Sequence, residues 1–402
     1  MRAMGGMNQT PFGERVHIAF FGRRNAGKSS LMNAFTGQEF SVVSAEKGTT
    51  TDVVYKAMEL LPAGPVLLID TPGLDDAGEL GEKRIARARA VMRKADIAIV
   101  TADAREALGE TERELLDFFE KQGIPCLLVW NKADLLEEVP KDGENTLWVS
   151  AKTGWKIHEL RERVAALLSE RETEGPLIGD LLSEKDTVIL VVPVDAGAPK
   201  GRLILPQQQV IRGILDAGAF GFVCRDTELE EALGKLACPP KLVVTDSQVF
   251  DRVNRILPES VPLTSFSILM ARYKGDLALL AKGAAALGRL QDGDRVLISE
   301  GCTHHRQCGD IGTVKLPAMI RRGTKKELLF SFTSGTEFPE DVSSCKMVVH
   351  CGGCMLNRRE MHYRLGCCRE QGVPVTNYGV LIAYLNGIPE RALEIFGGQE
   401  LF

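Results

Sequence analysis

Two parts of this 402-residue chain gather side chains that hold phosphate or metal. The first is GRRNAGKS, Gly22–Ser29. Its glycines let backbone N–H groups turn inward around a phosphate, and a helix starting there would add its partial positive charge. Lys28 can then neutralise the β- and γ-phosphates while Ser29 coordinates Mg2+. The second part is split: Cys302 and His304 stand in CTHH, and His350, Cys351 and Cys354 in HCGGC. Two cysteines separated by two residues can aim both thiolates at one centre, and the glycine pair between them lets the backbone approach it. Cys302 would bring a third thiolate from a distant turn. Spacing alone favours a Cys3His zinc site, leaves an iron–sulfur cluster as the next reading, and keeps open that no metal binds.

Three further motifs narrow the phosphate reading. DTPG, Asp70–Gly73, supplies a carboxylate to hold Mg2+ through water and the Gly73 N–H to sense a γ-phosphate. NKAD, Asn131–Asp134, ends in a carboxylate that can accept two hydrogen bonds from the guanine edge. Adenine has no such donor pair, so Asp134 selects GTP. SAK, Ser150–Lys152, would close over the base. Together with Asn25, Ala26, Gly27, Ser30, Lys132 and Ala151, these residues make up the expected nucleotide pocket.

A phosphate loop works between a strand and a helix, and the flanking sequence supplies both. The apolar runs Val16–Gly22, Val66–Asp70, Asp96–Val100, Cys126–Trp130 and Thr146–Ser150 alternate with helical stretches, the pattern of a parallel sheet covered by helices. A helix over about Ile157–Arg171 runs into ETEGPLIGD, which reads as a linker. A second alternation follows: Thr187–Val194, a helix over about Pro206–Ala217, Phe220–Arg225, a helix opened by a Thr227/Glu230 capping box, and Lys241–Asp246. It has no phosphate loop, and packing or assembly is its expected task. A long helical stretch over about Ser265–Leu290 and a strand at Asp294–Gly301 then deliver the chain to Cys302.

Composition limits the partners. The 49 basic and 54 acidic side chains leave a net charge of −5, which provides no global field for a polyanion, so nucleic acid is not expected. No stretch approaches the roughly 20 apolar residues that span a bilayer. The first residues hold no apolar run ending in a cleavage site, and a cytoplasmic protein without membrane contact is expected. In that reducing compartment the ten cysteines are metal ligands or buried apolar residues rather than disulfides. Cys126, Cys224 and Cys238 read as buried apolar residues, and Cys308, Cys345, Cys367 and Cys368 as core residues or neighbours of the ligands.

By these motifs the first domain resembles the translation-factor-related GTPases, in particular the branch of Era and the tRNA-modification GTPases. KGTTTD, Lys47–Asp52, resembles that branch's first switch, which implies Thr50 as a ligand of Mg2+ and the γ-phosphate. Leu74 stands where Ras-like proteins carry a water-orienting glutamine, which implies slow intrinsic hydrolysis. Asn25 matches the asparagine of potassium-activated members and implies stimulation by K+. Over its whole length the chain resembles the FeFe-hydrogenase maturation GTPases. That resemblance implies a P-loop GTPase domain at 1–175, a small α/β dimerisation domain at 176–263 and an iron–sulfur domain at 264–402. It further implies a 4Fe-4S cluster on Cys302, Cys351 and Cys354, with His304 and His350 as the motif histidines and the fourth iron position open or weakly filled. A homodimer would receive a di-iron precursor built with two radical-SAM maturases and pass it to apo FeFe-hydrogenase. Two rival readings stay open: an Era-like GTPase acting on RNA or ribosomes with a structural zinc domain, and a switch in which metal occupancy gates hydrolysis.

Overall fold

VHIAFF and IAIVTAD are apolar on consecutive residues, as strands buried on both faces must be. They form β1 (Val16–Phe21) and β4 (Ile97–Asp103) at the centre of a six-stranded sheet. The computed structural model describes residues 10, 12–37, 53–61, 64–73, 87–169, 175–194, 203–301, 310–335 and 337–401. The chain divides into two compact units, Met1–Thr173 and Glu174–Phe402.

In the first unit the sheet also contains β2 (Val54–Leu60), β3 (Gly64–Asp70), β5 (Cys126–Asn131) and β6 (Thr146–Trp148), in the order β2-β3-β1-β4-β5-β6. All pairs are parallel except β2 with β3. Helices α1 (Lys28–Thr36), α2 (87–92), α3 (Glu110–Lys121) and α4 (Ile157–Ser169) accompany it. Separate apolar clusters fill its two faces: Phe20, Leu31 and Leu160 belong to one, Phe21, Val91 and Phe119 to the other. The edge strand β2 escapes sequence reading because VYKAMEL interleaves Lys56 and Glu59 with its apolar residues.

The second unit holds two four-stranded parallel sheets. The first, ordered β10-β9-β7-β8, consists of β7 (Thr187–Val191), β8 (Phe220–Cys224), β9 (Leu242–Thr245) and β10 (Leu263–Ser265). The second, ordered β12-β11-β13-β14, consists of β11 (Arg295–Ser299), β12 (Leu329–Thr333), β13 (Met347–His350) and β14 (Val375–Asn377). Around them lie α5 (Leu205–Asp216), α6 (Leu229–Gly234), α7 (Phe250–Ile256), α8 (Phe266–Lys274), α9 (Leu277–Ala285), α10 (Leu316–Thr324), α11 (Arg358–Glu370), α12 (Tyr378–Leu385) and α13 (Pro389–Leu393). One apolar cluster joins Ile189 and Val243 of the first sheet to Val296 and Val349 of the second.

Two local expectations are corrected. The long helix over Ser265–Leu290 is broken at Gly275, and Asp276 caps a new helix by accepting from Leu279 N at 2.9 Å. An aspartate capping so soon after a glycine stops one helix and starts another. The Thr227/Glu230 capping box does not form. The helix begins one residue later, and Glu228 instead takes Arg225 N–H at 3.1 Å and its guanidinium at 2.9 Å.

Helix α9 lies directly on the backbone of β14. A Cβ on Gly283 would stand 1.8 Å from Val375 O, which a strand carbonyl cannot yield to. Gly283→Ala is therefore expected to destabilise the second unit by about 3 kcal/mol, as overpacking against rigid backbone does. Thermal unfolding followed by circular dichroism checks this; an unchanged melting temperature would contradict the packing.

Candidate functional site

The phosphate loop leaves the carboxyl end of β1, beside β4, where the strand order of the sheet reverses. Ligands of parallel sheets bind in such a crevice. The loop turns through Asn25 and Gly27 with φ of +63° and +93°, and a Cβ on Gly27 would meet Asn131 Nδ2 at 2.3 Å. Glycine is thus required by both the turn and the close approach. Lys28 is buried and donates across the loop to Gly22 O at 3.0 Å and Arg23 O at 2.8 Å.

The other motifs are tied to this loop by hydrogen bonds. Asn131 Nδ2 donates to Ala26 O at 3.3 Å and Gly27 O at 3.4 Å, while its Oδ1 accepts from Ala151 N at 3.0 Å. Lys132 Nζ donates to Asn25 O and to Asp103 Oδ2, both at 2.7 Å. Ser150 Oγ donates to Asp134 Oδ1 at 2.6 Å, so base and phosphate motifs form one network. Ser29 Oγ donates to Asp70 Oδ2 at 2.5 Å, and Asp70 Oδ1 is buried with no protein hydrogen-bond partner. Burial raises the Asp70 carboxyl above its ordinary range, opposed by the Ser29 hydrogen bond and the Lys28 charge. A buried orphan carboxylate oxygen beside a serine hydroxyl suits Mg2+, which prefers hard oxygen ligands. Ser30 is exposed, Lys152 exposed and Gly73 half-buried at the end of the described DTPG segment. Thr50 and Leu74 lie outside the described residues.

Sequence reading gave no role to Arg23, Asp103, Arg105 or Glu112. Asp103, at the carboxyl end of β4, holds Lys132 over the loop; hydrogen bonds from Arg105 and then Lys132 keep its carboxyl well below the usual range. Arg23 of the loop donates to Glu112 Oε1 at 2.8 Å, and Glu112 is fully buried on α3. Neither Asp103 nor Glu112 belongs to a motif, and they lie 29 and 89 positions from Lys132 and Arg23, so no short-range signal ties them to the loop.

The cysteine turn occupies the equivalent place in the last sheet. β11 and β13 are adjacent and parallel, with Ser299 paired to His350, and the strand order reverses between them. Both strands therefore release their chains at the same carboxyl edge, one toward Cys302 and the other into His350–Cys354. Gly301 N donates to Cys351 Sγ at 3.0 Å and Gly353 N does so at 3.4 Å. Burial pushes the free Cys351 thiol up to about 11, with these two N–H groups acting the other way. N–H groups aimed at a cysteine sulfur are what a thiolate ligand of a cluster uses, and binding replaces the thiol proton. Cys351 and Cys354 are half-buried, so the residues present fit such a group. Cys302, His304 and Cys308 lie outside the described residues. Among the described residues no group of three His, Cys, Asp or Glu is gathered for a metal.

His350 is held differently from a ligand. It is buried, its Nε2 lies 3.0 Å from Arg364 Nη1, and its Nδ1 lies 2.9 Å from Cys351 O. A guanidinium only donates, so Nε2 accepts and Nδ1 carries the proton that it donates to the carbonyl. Burial and the Arg364 charge push the imidazole down to about 3, and it is neutral. Both nitrogens are committed within the chain, which leaves neither lone pair for iron in this arrangement. Arg364 is itself buried, donating to Glu360 Oε1 at 2.9 Å and Gly335 O at 2.7 Å. Of the other cysteines, Cys224, Cys345, Cys367 and Cys368 are buried, Cys126 is half-buried, and Cys238 is exposed, contrary to its reading as a core residue.

Comparison with known proteins matches three successive stretches of the chain. The family model of 50S ribosome-binding GTPases covers residues 17–132, that of the hydrogen maturase F dimerization domain 177–275, and that of the hydrogen maturase F tetramerization domain 278–395. The tRNA modification GTPase MnmE of Hydrogenovibrio crunogenus is 34% identical over 40% of this chain and 36% of its own length. That of Dichelobacter nodosus is 36% identical over the same shares, 40% and 36%. The chain thus spans about a third of the length of these curated relatives, too little to carry over their activity. Among solved structures, a variant of Aquifex aeolicus Era bound to GDP and AlF4− aligns over 60% of this chain and 97% of its own at 18% identity, with a TM-score of 0.33 too low to support a conclusion. With two domains particular to one family lying behind a P-loop GTPase domain, the chain belongs to the hydrogen maturase F family of FeFe-hydrogenase maturation GTPases.

Proposed function

We propose that this chain is a GTP-hydrolysing scaffold that carries a 4Fe-4S cluster on Cys302, Cys351 and Cys354 and transfers a di-iron precursor to apo FeFe-hydrogenase. The observation that carries the cluster half is the 3.0 Å contact from Gly301 N to Cys351 Sγ, which brings the immediate chain neighbour of Cys302 to the HCGGC turn. A cluster with three thiolates supplies an iron position at which the di-iron unit, received from two radical-SAM maturases, can bind and leave. His350 serves as a hydrogen-bonded support of the turn rather than as that labile ligand.

In the nucleotide half, water attacks the γ-phosphorus of GTP, the bond to the bridging oxygen breaks, and GDP and phosphate leave. Lys28 offsets the phosphate charge, Ser29, Thr50 and Asp70 hold Mg2+, and Gly73 N–H senses the γ-phosphate. Asp134 selects guanine. Leu74 makes the reaction slow, and Asn25, whose side chain is exposed beside the loop, helps bind K+. The division into 1–175, 176–263 and 264–402 follows the same reading, although the dimerization-domain match runs on through α8 to residue 275. Assembly into at least a homodimer is supported by two edge strands with exposed apolar side chains, Phe220 and Val223 on β8 and Leu329 and Phe332 on β12.

Asp134→Asn should weaken GTP binding roughly tenfold to a hundredfold, the scale of hydrogen bonds to a charged group, and gain xanthine nucleotide. Fluorescent-nucleotide titration measures this, and unchanged GTP affinity would remove Asp134 from the pocket. Turnover is expected to be about tenfold higher in potassium than in sodium chloride; equal rates would dismiss the Asn25 assignment. Purified without oxygen, the protein should contain iron and sulfide, and Cys351→Ala should lose both while keeping its GTPase rate. Stoichiometric zinc without iron would point instead to a structural zinc domain.

A further inference from the structure

Helix α8 ends in a lysine that neither the nucleotide nor the thiolate chemistry accounts for. Lys274 is 3% exposed, and its Nζ donates to Leu356 O at 2.7 Å, Cys354 O at 3.2 Å and Gly353 O at 3.4 Å. Three backbone carbonyls therefore converge on this ammonium, which offers only donors. Burying a charge carries a desolvation penalty that a neutral donor would avoid, and bracing a loop alone does not need one. All three of these carbonyls belong to the segment that runs through and just beyond the Cys351–Cys354 turn. Another buried cation of this unit, Arg364, reaches the same turn through His350.

The origin of Lys274 adds to this. Helix α8 follows β10 without a break, with Ser265 Oγ accepting from Ile268 N at 3.2 Å as its cap. It falls within the residues matched by the dimerization domain, 177–275, whereas the cysteine turn falls within 278–395. The first sheet of the unit therefore delivers the cation to the turn of the second.

Building on the cluster assignment above, we infer that Lys274 is a positioning residue of the cluster: its ammonium clamps the Gly353–Leu356 backbone and its charge favours the reduced cluster. A cluster on three thiolates gains one negative charge on reduction, and a buried cation nearby stabilises that state more than the oxidised one.

The test uses full-length wild type, Lys274→Gln and Lys274→Met, each loaded with iron and sulfide under anaerobic conditions. Two quantities are read: iron release to a chelator, and the midpoint potential from dithionite titration followed by electron paramagnetic resonance. Lys274→Gln should release iron about tenfold faster, the scale of lost support around a metal ligand, and titrate at a more negative potential. Lys274→Met should do so more strongly; if circular dichroism shows it unfolded, Lys274→Gln decides. Wild-type values of both quantities would overturn the inference, and so would faster release at an unchanged potential, which reduces Lys274 to a brace. Wild-type protein that takes up no cluster would refute the cluster assignment itself, a separate outcome from either.

Discussion

Parallel pairing of β11 with β13 is the constraint on which the cysteine turn depends. Parallel neighbours both end at the same edge, so residues far apart in sequence emerge side by side. Ser299 opposite His350 sets the register, and Cys351 N donates to Ser299 O at 3.0 Å, extending the ladder into the turn. A slip of one position would exchange the two faces of β13 and take His350 away from Arg364. The same constraint organises the first unit, where β1 and β4 release the phosphate loop and Asp103 at one edge.

Buried charge is the second organising feature, and at Arg364 and Asp103 it is met by hydrogen bonds within the chain. Arg364 is shared among Glu360, His350 and Gly335, and Asp103 between Arg105 and Lys132. A charge removed from water is tolerated only when its hydrogen bonds are made, and those bonds then orient whatever they touch. This is how His350, neutral and with both nitrogens used, comes to support the Cys351 carbonyl. Asp70 is the contrasting case: one oxygen meets Ser29 and the other has no protein hydrogen-bond partner, the arrangement of a residue waiting for a cation.

Much of the fold was legible because buried parallel strands are written as short apolar runs. β1, β6, β7, β8, β9 and β11 fall within segments that read as strands, and β3, β4 and β5 overlap such segments and run beyond them. The missed ones are of two kinds. β2 and β12 are edge strands whose residues are mostly exposed or half-buried, and β10, β13 and β14 are only three or four residues long, too short to show a period. The broken helix at Gly275 was misread because the Ala- and Leu-rich composition continues across the break, and only the Asp276 cap marks it.

The residues expected to hold nucleotide, Gly22–Ser29, Asp70–Gly73, Asn131–Asp134 and Ser150–Lys152, could be read before folding because they are local motifs placed at strand ends. The sequence by itself also named Cys351 and Cys354 as a pair. Only the tertiary structure decided what surrounds them: that Gly301 reaches Cys351, that His350 is spoken for by Arg364, and that Lys274 lies under the turn. The reason is range. A loop that binds through its own backbone is encoded in consecutive residues, whereas hydrogen bonds spanning 14, 50 or 82 positions exist only after the sheets have paired and α8 has packed against them.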